Sequence, residues 1–338
     1  MGPSAAIYGC EGLELSEGER AFFRETRPYG FILFARNCNS PDQIRALTAD
    51  LRASAGRENA LVLIDQEGGR VARLTPPHWR KRPPARRIGD LFESDPDKGR
   101  AAAYLHARLI ANDLRSLGVT VDCAPVLDVP VKGAHDIIGD RAYSLRPGTV
   151  IELGRAAIEG FLDGGVLPVI KHIPGHGRAL ADSHLELPRV SASAAELSLH
   201  DFLPFRALNH APAAMTAHVV YEAFDEKRPA TTSPRVIGRV IRGEIGFEGL
   251  LMSDDLSMAA LSGSLADRAK AALFAGCDVV LHCNGKLDEM REIAGRVKEL
   301  SGKALYRANA ALAALRKPAP LDIEAAEARL DEMTGAGA

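Results

Sequence analysis

A glycine- and histidine-rich segment, residues 171–184, carries the densest group of chemically active side chains in the sequence. It has the sequence KHIPGHGRALADSH, and its proline and glycines forbid a regular helix, so we expect a shaped loop. Asp182 and His184 lie two residues apart. In a turn this carboxylate can accept a hydrogen bond from one imidazole nitrogen and fix the tautomer. An imidazole with an ordinary pKa of about 6.5 exchanges protons at neutral pH, so the spacing predicts general acid–base chemistry.

Two other interpretations of this segment stay open on these residues alone. The histidines could ligate a metal ion together with Asp182, since carboxylate and imidazole ligands are common in metallohydrolases. The glycine-rich spacing is not a recognised ligand pattern, however, and we expect neither a metal nor a cofactor. The histidines could also be ordinary surface residues of a polar loop.

Polar side chains follow several apolar runs at the point where each run ends. They are Asp65–Arg70, Asp128, Lys171 with His172, His218, and Ser253–Asp255. In a parallel barrel the carboxyl ends of the strands meet at one face, where active sites form. Any one of these residues could be a helix cap, but five such ends together predict a polar funnel suited to a hydroxyl-rich substrate or a metal ion.

Eight short apolar runs alternate with amphipathic stretches along the chain. The predicted strands are Ala6–Cys10, Phe31–Ala35, Leu61–Asp65, Thr120–Val126, Leu167–His172, Ala214–Val219, Leu250–Ser253 and Asp278–His282. Such alternation indicates a parallel sheet covered on both faces by helices. Eight units favour closure, so the predicted fold class is α/β, a single (β/α)8 TIM-type barrel. We expect one catalytic domain over residues 1–338, with a short frayed tail over Thr334–Ala338.

Local start signals place several of the helices. Residues 40–43 combine a serine N-cap, a proline at the first helical position and a glutamine capping-box partner. Ser193 with Glu196 forms a second capping box, and Ser233 opens a third helix. The structural alternative is an open doubly wound sheet, but its G-x-G-x-x-G phosphate signature is missing.

Composition limits the classes of binding partner and the cellular locations that we expect for this protein. The formal net charge is −2, so the chain has no basic excess for nucleic acid, and the Arg-rich stretch 80–87 is interpreted as a solvated loop. No apolar run approaches the roughly 20 residues of a membrane helix, and no signal peptide is evident at the N-terminus. The five cysteines are odd in number and scattered, which is typical of a reducing compartment. We expect a cytoplasmic protein, monomeric by preference, that acts on a small molecule.

Four motifs resemble glycoside hydrolase family 3, and in particular its single-domain bacterial β-N-acetylglucosaminidases. They are IDQEGGRV at residues 64–71, the segment 171–184, MTAH at 215–218 and MSDDLSM at 252–258. They occur in the family's order and span most of the chain, and the K-H-x-P-G-H-G…D-S-H string is the most specific of them.

The resemblance implies a two-step retaining mechanism. Asp254 matches the family's nucleophile and would form a glycosyl-enzyme intermediate. Asp255 is the rival, but successive strand residues point to opposite faces and the motif match favours Asp254. His184, oriented by Asp182, would protonate the leaving oxygen and then activate water, in place of the usual second carboxylate.

The same resemblance implies a set of sugar contacts and a substrate. The contacts are Asp65, Arg73, Arg141, Lys171 and His172. The substrate implied is a muropeptide in which N-acetylglucosamine is joined to 1,6-anhydro-N-acetylmuramic acid, and the reaction belongs to cell-wall recycling. The chain departs from the family at residues 142–143, where relatives have Ser-Phe, and at Ile173, where Phe is common. These departures could reshape the edge of the site without removing any charged residue.

Two other functions and one other mechanism remain as alternatives. A histidine acid/base does not repel phosphate, so the same site could carry out phosphorolysis of N-acetylglucosaminides. The chain could be a sugar sensor that has kept the barrel without turnover. The acetamido carbonyl of the substrate could also take the place of the protein nucleophile.

Overall fold

The chain folds around a closed barrel of eight parallel strands. The structure is a computed structural model that describes residues 2–133, 135–179, 183 and 186–335. The strands are β1 (Ser4–Gly9), β2 (Pro28–Leu33), β3 (Leu61–Ile64), β4 (Val121–Asp122), β5 (Leu167–Ile173), β6 (Arg189–Val190), β7 (Ala213–Thr216), β8 (Val220–Tyr221), β9 (Leu250–Asp255) and β10 (Val279–His282). Around the barrel the order is β1, β2, β3, β4, β5, β7, β9, β10, and β6 pairs separately with β8.

Closure of the barrel depends on parallel pairing between β1 and β10. Ala6 lies opposite Val280, and Ile7 lies opposite Leu281. The predicted (β/α)8 class and all eight predicted strands are therefore confirmed. The fourth strand is shorter than the predicted Thr120–Val126, because only Val121 and Asp122 form a regular ladder with both neighbouring strands. The seventh is longer than predicted and includes Asp254 and Asp255.

Helices surround the barrel. In the described residues the α-helices are α1 (Glu17–Thr26), α2 (Pro41–Ala55), α3 (Ala85–Ser94), α4 (Pro96–Ser116), α5 (Pro147–Asp163), α6 (Ala194–Leu199), α7 (Leu203–Ala207), α8 (Leu265–Ala275), α9 (Leu287–Ala294), α10 (Gly302–Ala313) and α11 (Ile323–Thr334). A π-helix, Val236–Glu244, follows Ser233, whose hydroxyl accepts a hydrogen bond from the backbone N–H of Val236. The third predicted helix start is thus confirmed.

The two predicted capping boxes have different outcomes. At α6 the box is complete: Ser193 accepts from the backbone N–H of Glu196, and the Glu196 carboxylate accepts from the backbone N–H of Ser193. At α2, Ser40 caps the helix by accepting from the backbone N–H of Gln43. The Gln43 side chain accepts instead from the backbone N–H of Asn39, one residue further back, so the predicted box is wrong there.

Alternation along the strands divides the core in two. Inward residues such as Ile7, Leu63 and Met252 fill the barrel, and α10 packs beneath them through Ala308 and Ala311. The outward residues pack against the surrounding helices in a second, larger cluster. This period of two places the polar strand-end residues on the inner side, above the apolar fill.

Two sequence interpretations near the surface are corrected. Arg82, in the stretch interpreted as a solvated loop, is only 8% exposed because its guanidinium lies between carboxylates. Thr334, predicted to begin a frayed tail, is the buried last residue of α11, and its hydroxyl donates to the carbonyl of Leu330. Positions 336–338 lie outside the described residues.

All five cysteines are described and free of disulfides, and four of them are buried. Within the described part of the chain, no helix combines the length and apolar character needed to cross a membrane.

Candidate active site

A cavity of ≈ 390 Å³ opens at the carboxyl ends of the barrel strands. Its walls include Asp65 just after β3, Lys171 and His172 in β5, and Asp254 in β9. Arg73 and Arg141 line the same space. The structure therefore brings together the six predicted site residues that it describes.

A second cavity, of ≈ 770 Å³, is larger but lies elsewhere. It is lined by residues of α1, of α9 and of the chain before β1 and β2, including Glu25, Arg27 and Arg291. None of the strand-end side chains borders it. Size alone is thus a poor guide to the site, because the groups able to do chemistry converge on the smaller cavity.

Lys171 is the centre of a buried cluster of charges. Its side chain is 2% exposed, and its Nζ lies 2.8 Å from Asp65 Oδ1 and 2.7 Å from Glu67 Oε1. Arg141 donates to both oxygens of Glu67 at 2.8 Å, and Arg73 Nη2 lies 3.3 Å from Asp65 Oδ2. The bidentate arginine geometry fixes the carboxylate of Glu67 in one orientation.

The electrostatics of this cluster favour the charged forms of Asp65, Glu67 and Lys171. Burial alone would raise the pKa of Asp65 and Glu67, but Lys171 and the arginines outweigh it and hold both values below the ordinary range. Burial alone would lower the pKa of Lys171, yet the two carboxylates raise it. Lys171 is therefore a fixed cation, suited to donate hydrogen bonds to a sugar hydroxyl and unsuited to act as a base.

Lys171 and His172 are consecutive in β5, yet both face the cavity. The pairing of β5 with β7 shifts register between Lys171 and Ile173, which places an extra residue in β5 at this point. Such a bulge re-aims side chains that would otherwise alternate between faces. The sequence shows both residues at a strand end but carries no clear signal for the bulge.

Asp128 holds the histidines of the β5 loop. Its Oδ2 lies 2.6 Å from His172 Nδ1, and its Oδ1 accepts from the backbone N–H groups of His172 at 3.1 Å and His176 at 2.6 Å. Burial would raise the pKa of Asp128, but its contacts with His172 and His176 lower it below the ordinary value. Burial lowers the pKa of His176 to about 4, so this ring is neutral at neutral pH. Asp128 thus fixes the His172 ring with its Nδ1 directed away from the cavity.

Asp254 and Asp255 have different environments. Both oxygens of Asp255 are occupied: Oδ1 accepts from the backbone N–H groups of Ser257 and Cys283, and Oδ2 accepts from the Ser257 hydroxyl at 2.5 Å. Asp254 Oδ1 accepts from the backbone N–H of Asp255 at 2.8 Å, and the Asp254 side chain borders the cavity. The two carboxylates are therefore distinguished by geometry, with Asp255 shaping the turn after β9.

Asp254 is stabilised as an anion. Burial by itself would raise its pKa, but His218, His172, the backbone N–H of Asp255 and Lys171 together lower it. His218 is fully buried, with its Nε2 2.9 Å from the carbonyl oxygen of Asp255 and its Nδ1 2.7 Å from the Thr231 hydroxyl. A half-buried carboxylate kept ionised beside a substrate-sized cavity has the protonation state that a nucleophile needs.

The predicted acid/base pair, Asp182 and His184, lies outside the described residues. Ser183, which the sequence places between them, is described: it is 4% exposed, lines the cavity and has its Oγ 3.3 Å from His176 Nε2. The described residues contain no group of three or more histidine, cysteine or acidic side chains placed to hold a metal ion.

Glu67, Asp128 and His176 contact the predicted site residues but were not among the residues predicted from the sequence. Each stands in a quoted motif or at a predicted strand end, so its position was visible in the sequence. Asp128 and its partner His172 lie 44 residues apart along the chain, and Glu67 and its partner Arg141 lie 74 residues apart. Pairings over such separations leave no local pattern in the sequence.

Comparison with known proteins agrees with this geometry. The model of the glycosyl hydrolase family 3 N-terminal domain matches residues 14–313. A β-hexosaminidase from Alkalilimnicola ehrlichii is 44% identical over 288 residues, which are 84% of this chain and 81% of that protein.

Two crystal structures of NagZ from Neisseria gonorrhoeae are also similar. The native structure superposes with a TM-score of 0.87 at 30% identity, covering 99% of this chain and 98% of the other. The complex with N-trifluoroacetyl-D-glucosamine has a TM-score of 0.86 at 30% identity, covering 99% and 97%. The family match, the relatives and the strand-end cavity lead to the same conclusion: the chain belongs to glycosyl hydrolase family 3.

Proposed function

We propose that this glycoside hydrolase is a retaining exo-β-N-acetylglucosaminidase that removes N-acetylglucosamine from muropeptide fragments. The observation that carries the proposal is the state of Asp254. It is an anion at the wall of the cavity, while its neighbour Asp255 is committed to the turn after β9. Both residues line the cavity, but the Asp255 carboxylate accepts three hydrogen bonds in the turn, so Asp254 is the carboxylate proposed to attack.

The proposed chemistry has two steps. A carboxylate oxygen of Asp254 attacks the anomeric carbon, the bond to the leaving oxygen breaks, and the imidazolium of His184 gives that oxygen its proton. His184 then takes a proton from water, whose oxygen attacks the anomeric carbon and releases Asp254. The roles of His184 and Asp182 rest on the sequence motif, and the place of Ser183 in the cavity wall supports them.

Binding of the sugar is assigned to the charge cluster. Asp65 would accept hydrogen bonds from vicinal hydroxyls, and Lys171 would donate to one of them, since both border the cavity. His172 presents its Nε2, because its Nδ1 is held by Asp128. Arg73 and Arg141 are largely engaged with Asp65 and Glu67, so we assign them mainly to orienting those carboxylates.

Preference for a 2-acetamido sugar is proposed from the relatives. The protein from A. ehrlichii is a β-hexosaminidase, and the gonococcal structure holds N-trifluoroacetyl-D-glucosamine. The relatives do not favour the phosphorolytic alternative. We further propose that residues 1–338 act as one catalytic domain in the cytoplasm, in cell-wall recycling on muropeptides that carry 1,6-anhydro-N-acetylmuramic acid.

Covalent labelling tests the proposal. The protein is incubated with a slow 2-acetamido-2-deoxy-5-fluoro glycosyl substrate, and the intact protein and its peptides are weighed. We expect one added sugar on the peptide that contains Asp254. Asp255→Asn serves as a control that keeps the label, whereas Asp254→Asn loses both the label and turnover.

Two results would contradict the proposal. Cleavage of a chromogenic β-N-acetylglucosaminide without any adduct would indicate substrate assistance or another nucleophile. Acceleration by inorganic phosphate with release of a sugar 1-phosphate would replace hydrolysis by phosphorolysis.

A further inference from the structure

The C-terminal helix α11 lies beyond residues 14–313, the part of the chain that the family model matches. It packs against α4 and α3 and contacts the proline-rich loop, defined as residues 75–84, through charged side chains. This loop follows the segment that carries Asp65, Glu67 and Arg73. A helix outside the matched region is thus connected to the sugar-binding side of the cavity.

Arg82 makes the connection. Its side chain is 4% exposed, and its Nη1 donates to Glu327 Oε2 on α11 at 2.7 Å. Its Nη2 donates to Asp113 Oδ2 on α4 at 3.1 Å. Arg80 adds more exposed contacts with Glu327 and Asp331. Because a buried arginine with two carboxylate partners has one favourable arrangement, it holds the loop in a single position against both helices.

The backbone beside Arg82 supports the diglycine turn that follows Glu67. The carbonyl oxygen of Arg82 accepts from the backbone N–H of Gly69 at 2.9 Å. Gly68 and Gly69 have φ values of +90° and +57°, which favour glycine. A Cβ on Gly68 would lie 2.5 Å from the carbonyl oxygen of Pro83, so the loop and the turn are in direct backbone contact. A displacement of the loop must therefore move the turn.

The diglycine turn also sets the position of Glu67. The backbone N–H of Glu67 donates to the carbonyl of Val71 across the turn, at 2.9 Å. Its carboxylate binds Lys171 and Arg141 at the wall of the cavity. The sequence of contacts runs from α11 through Arg82 to the turn, and from the turn to the cation that faces the substrate.

We propose that α11 acts as a clamp on the sugar subsite, with Arg82 as the positioning residue that transmits its hold to Glu67 and Lys171. The inference rests on the proposed function, because the sugar contact of Lys171 belongs to it. Asp254 lies on β9, across the barrel from β3, and Lys171 is the weakest of the four groups named above that lower its pKa. Releasing the clamp therefore weakens sugar binding more than it slows the bond-breaking step at saturation.

The chain contains a reporter of the loop and a matched control. Trp79, the single tryptophan, lies in the proline-rich loop and packs partly against the core. Glu327→Gln weakens the pair with Arg82 without changing the size of the side chain. Glu332→Gln makes the same chemical change at an exposed position of the same helix.

We expect Glu327→Gln to shift the Trp79 emission to longer wavelength and to raise KM for a chromogenic β-N-acetylglucosaminide about tenfold, with kcat changed less than about threefold. Misplacing a group at the site by about 1 Å can cost about a hundredfold in rate. Glu327→Gln removes only part of the contact with Arg82, so its effect on KM should be smaller than that. Arg82→Lys keeps the charge and should recover part of the wild-type KM relative to Arg82→Ala. Glu332→Gln should leave emission and KM unchanged.

The clamp is refuted if Trp79 emission shifts while KM stays within twofold of the wild-type value, since the loop would then move without the subsite. It is also refuted if kcat falls and KM does not change, or if neither emission nor KM changes. Absence of turnover by the wild-type protein would instead overturn the proposed function. In that event a Trp79 emission unaffected by Glu327→Gln would still refute the clamp, because that measurement needs no substrate.

Discussion

Replacing Lys171 by methionine tests whether the buried charge cluster stabilises the fold as well as the substrate. The change removes the ammonium that contacts Asp65 and Glu67, while Arg73 and Arg141 keep one partner for each carboxylate. The change removes two charge-assisted hydrogen bonds, and we take the low value of about 1.5 kcal/mol for each because the arginines remain. The free energy of unfolding at pH 7 should therefore fall by about 3 kcal/mol.

The loss should depend on pH in a defined direction. Asp65 and Glu67 have pKa values lowered by folding, so they stabilise the native state above their unfolded values of about 4. That contribution disappears as the pH falls through the lowered native values. Without Lys171 the native pKa values are lowered less, so the variant has less stability to lose in acid, and its difference from wild type should shrink below pH 4.

Urea denaturation followed by circular dichroism at pH 7, 5 and 3.5 measures this difference. Lys98→Met is the matched control, because the Lys98 side chain is 63% exposed and its ion pair with Asp95 is long, at 3.6 Å. The free energy of unfolding of this variant should differ from wild type by less than about 0.5 kcal/mol. A loss for Lys171→Met that is equal at pH 7 and pH 3.5 would refute the electrostatic account and leave packing as the cause.

Two further changes test other contacts. Asp128→Asn removes the carboxylate that accepts from His172 Nδ1, a charge-assisted bond whose loss corresponds to about 10- to 100-fold in kcat/KM, and activity within threefold of wild type would contradict that role. Gly177→Ala places a Cβ against the carbonyl oxygen of Val129 and should lower the free energy of unfolding by about 1–3 kcal/mol, whereas Gly148→Ala, with open space around it, should not lower it. Equal effects of the two alanines in urea titrations would show that this overlap is relieved at little cost.

The fold was predictable from the sequence because its signals are local and repeated. Apolar runs such as Leu61–Ile64 and Val279–His282 are buried on both faces, which makes them recognisable as parallel strands. Capping serines fix helix starts within three residues. Strand bounds were less accurate, because hydrogen-bonded pairing depends on the neighbouring strand as well as on residue type.

The location of the candidate site was predictable where position along a strand decides which residues meet in the cavity. Asp65, Lys171, His172 and Asp254 all stand at strand ends, and the barrel brings strand ends together. The assignment of Arg141 shows the limit: its guanidinium is engaged with Glu67, a contact 74 residues apart that no spacing rule indicates. The acid/base roles of Asp182 and His184 stay predictions.

The pairing of β1 with β10 has a consequence for how activity is acquired. A growing chain that ends before β9 can already contain Asp65 and Lys171, but it lacks Asp254, and one that ends before β10 cannot join its last strand to its first. Contacts between distant parts of a chain form late, because closing the large loop between them costs entropy before any pairing is gained. Helices can re-form during refolding before β1 and β10 have paired. Recovery of turnover after dilution from urea should therefore lag behind recovery of circular dichroism, and the lag would time the closing of the barrel.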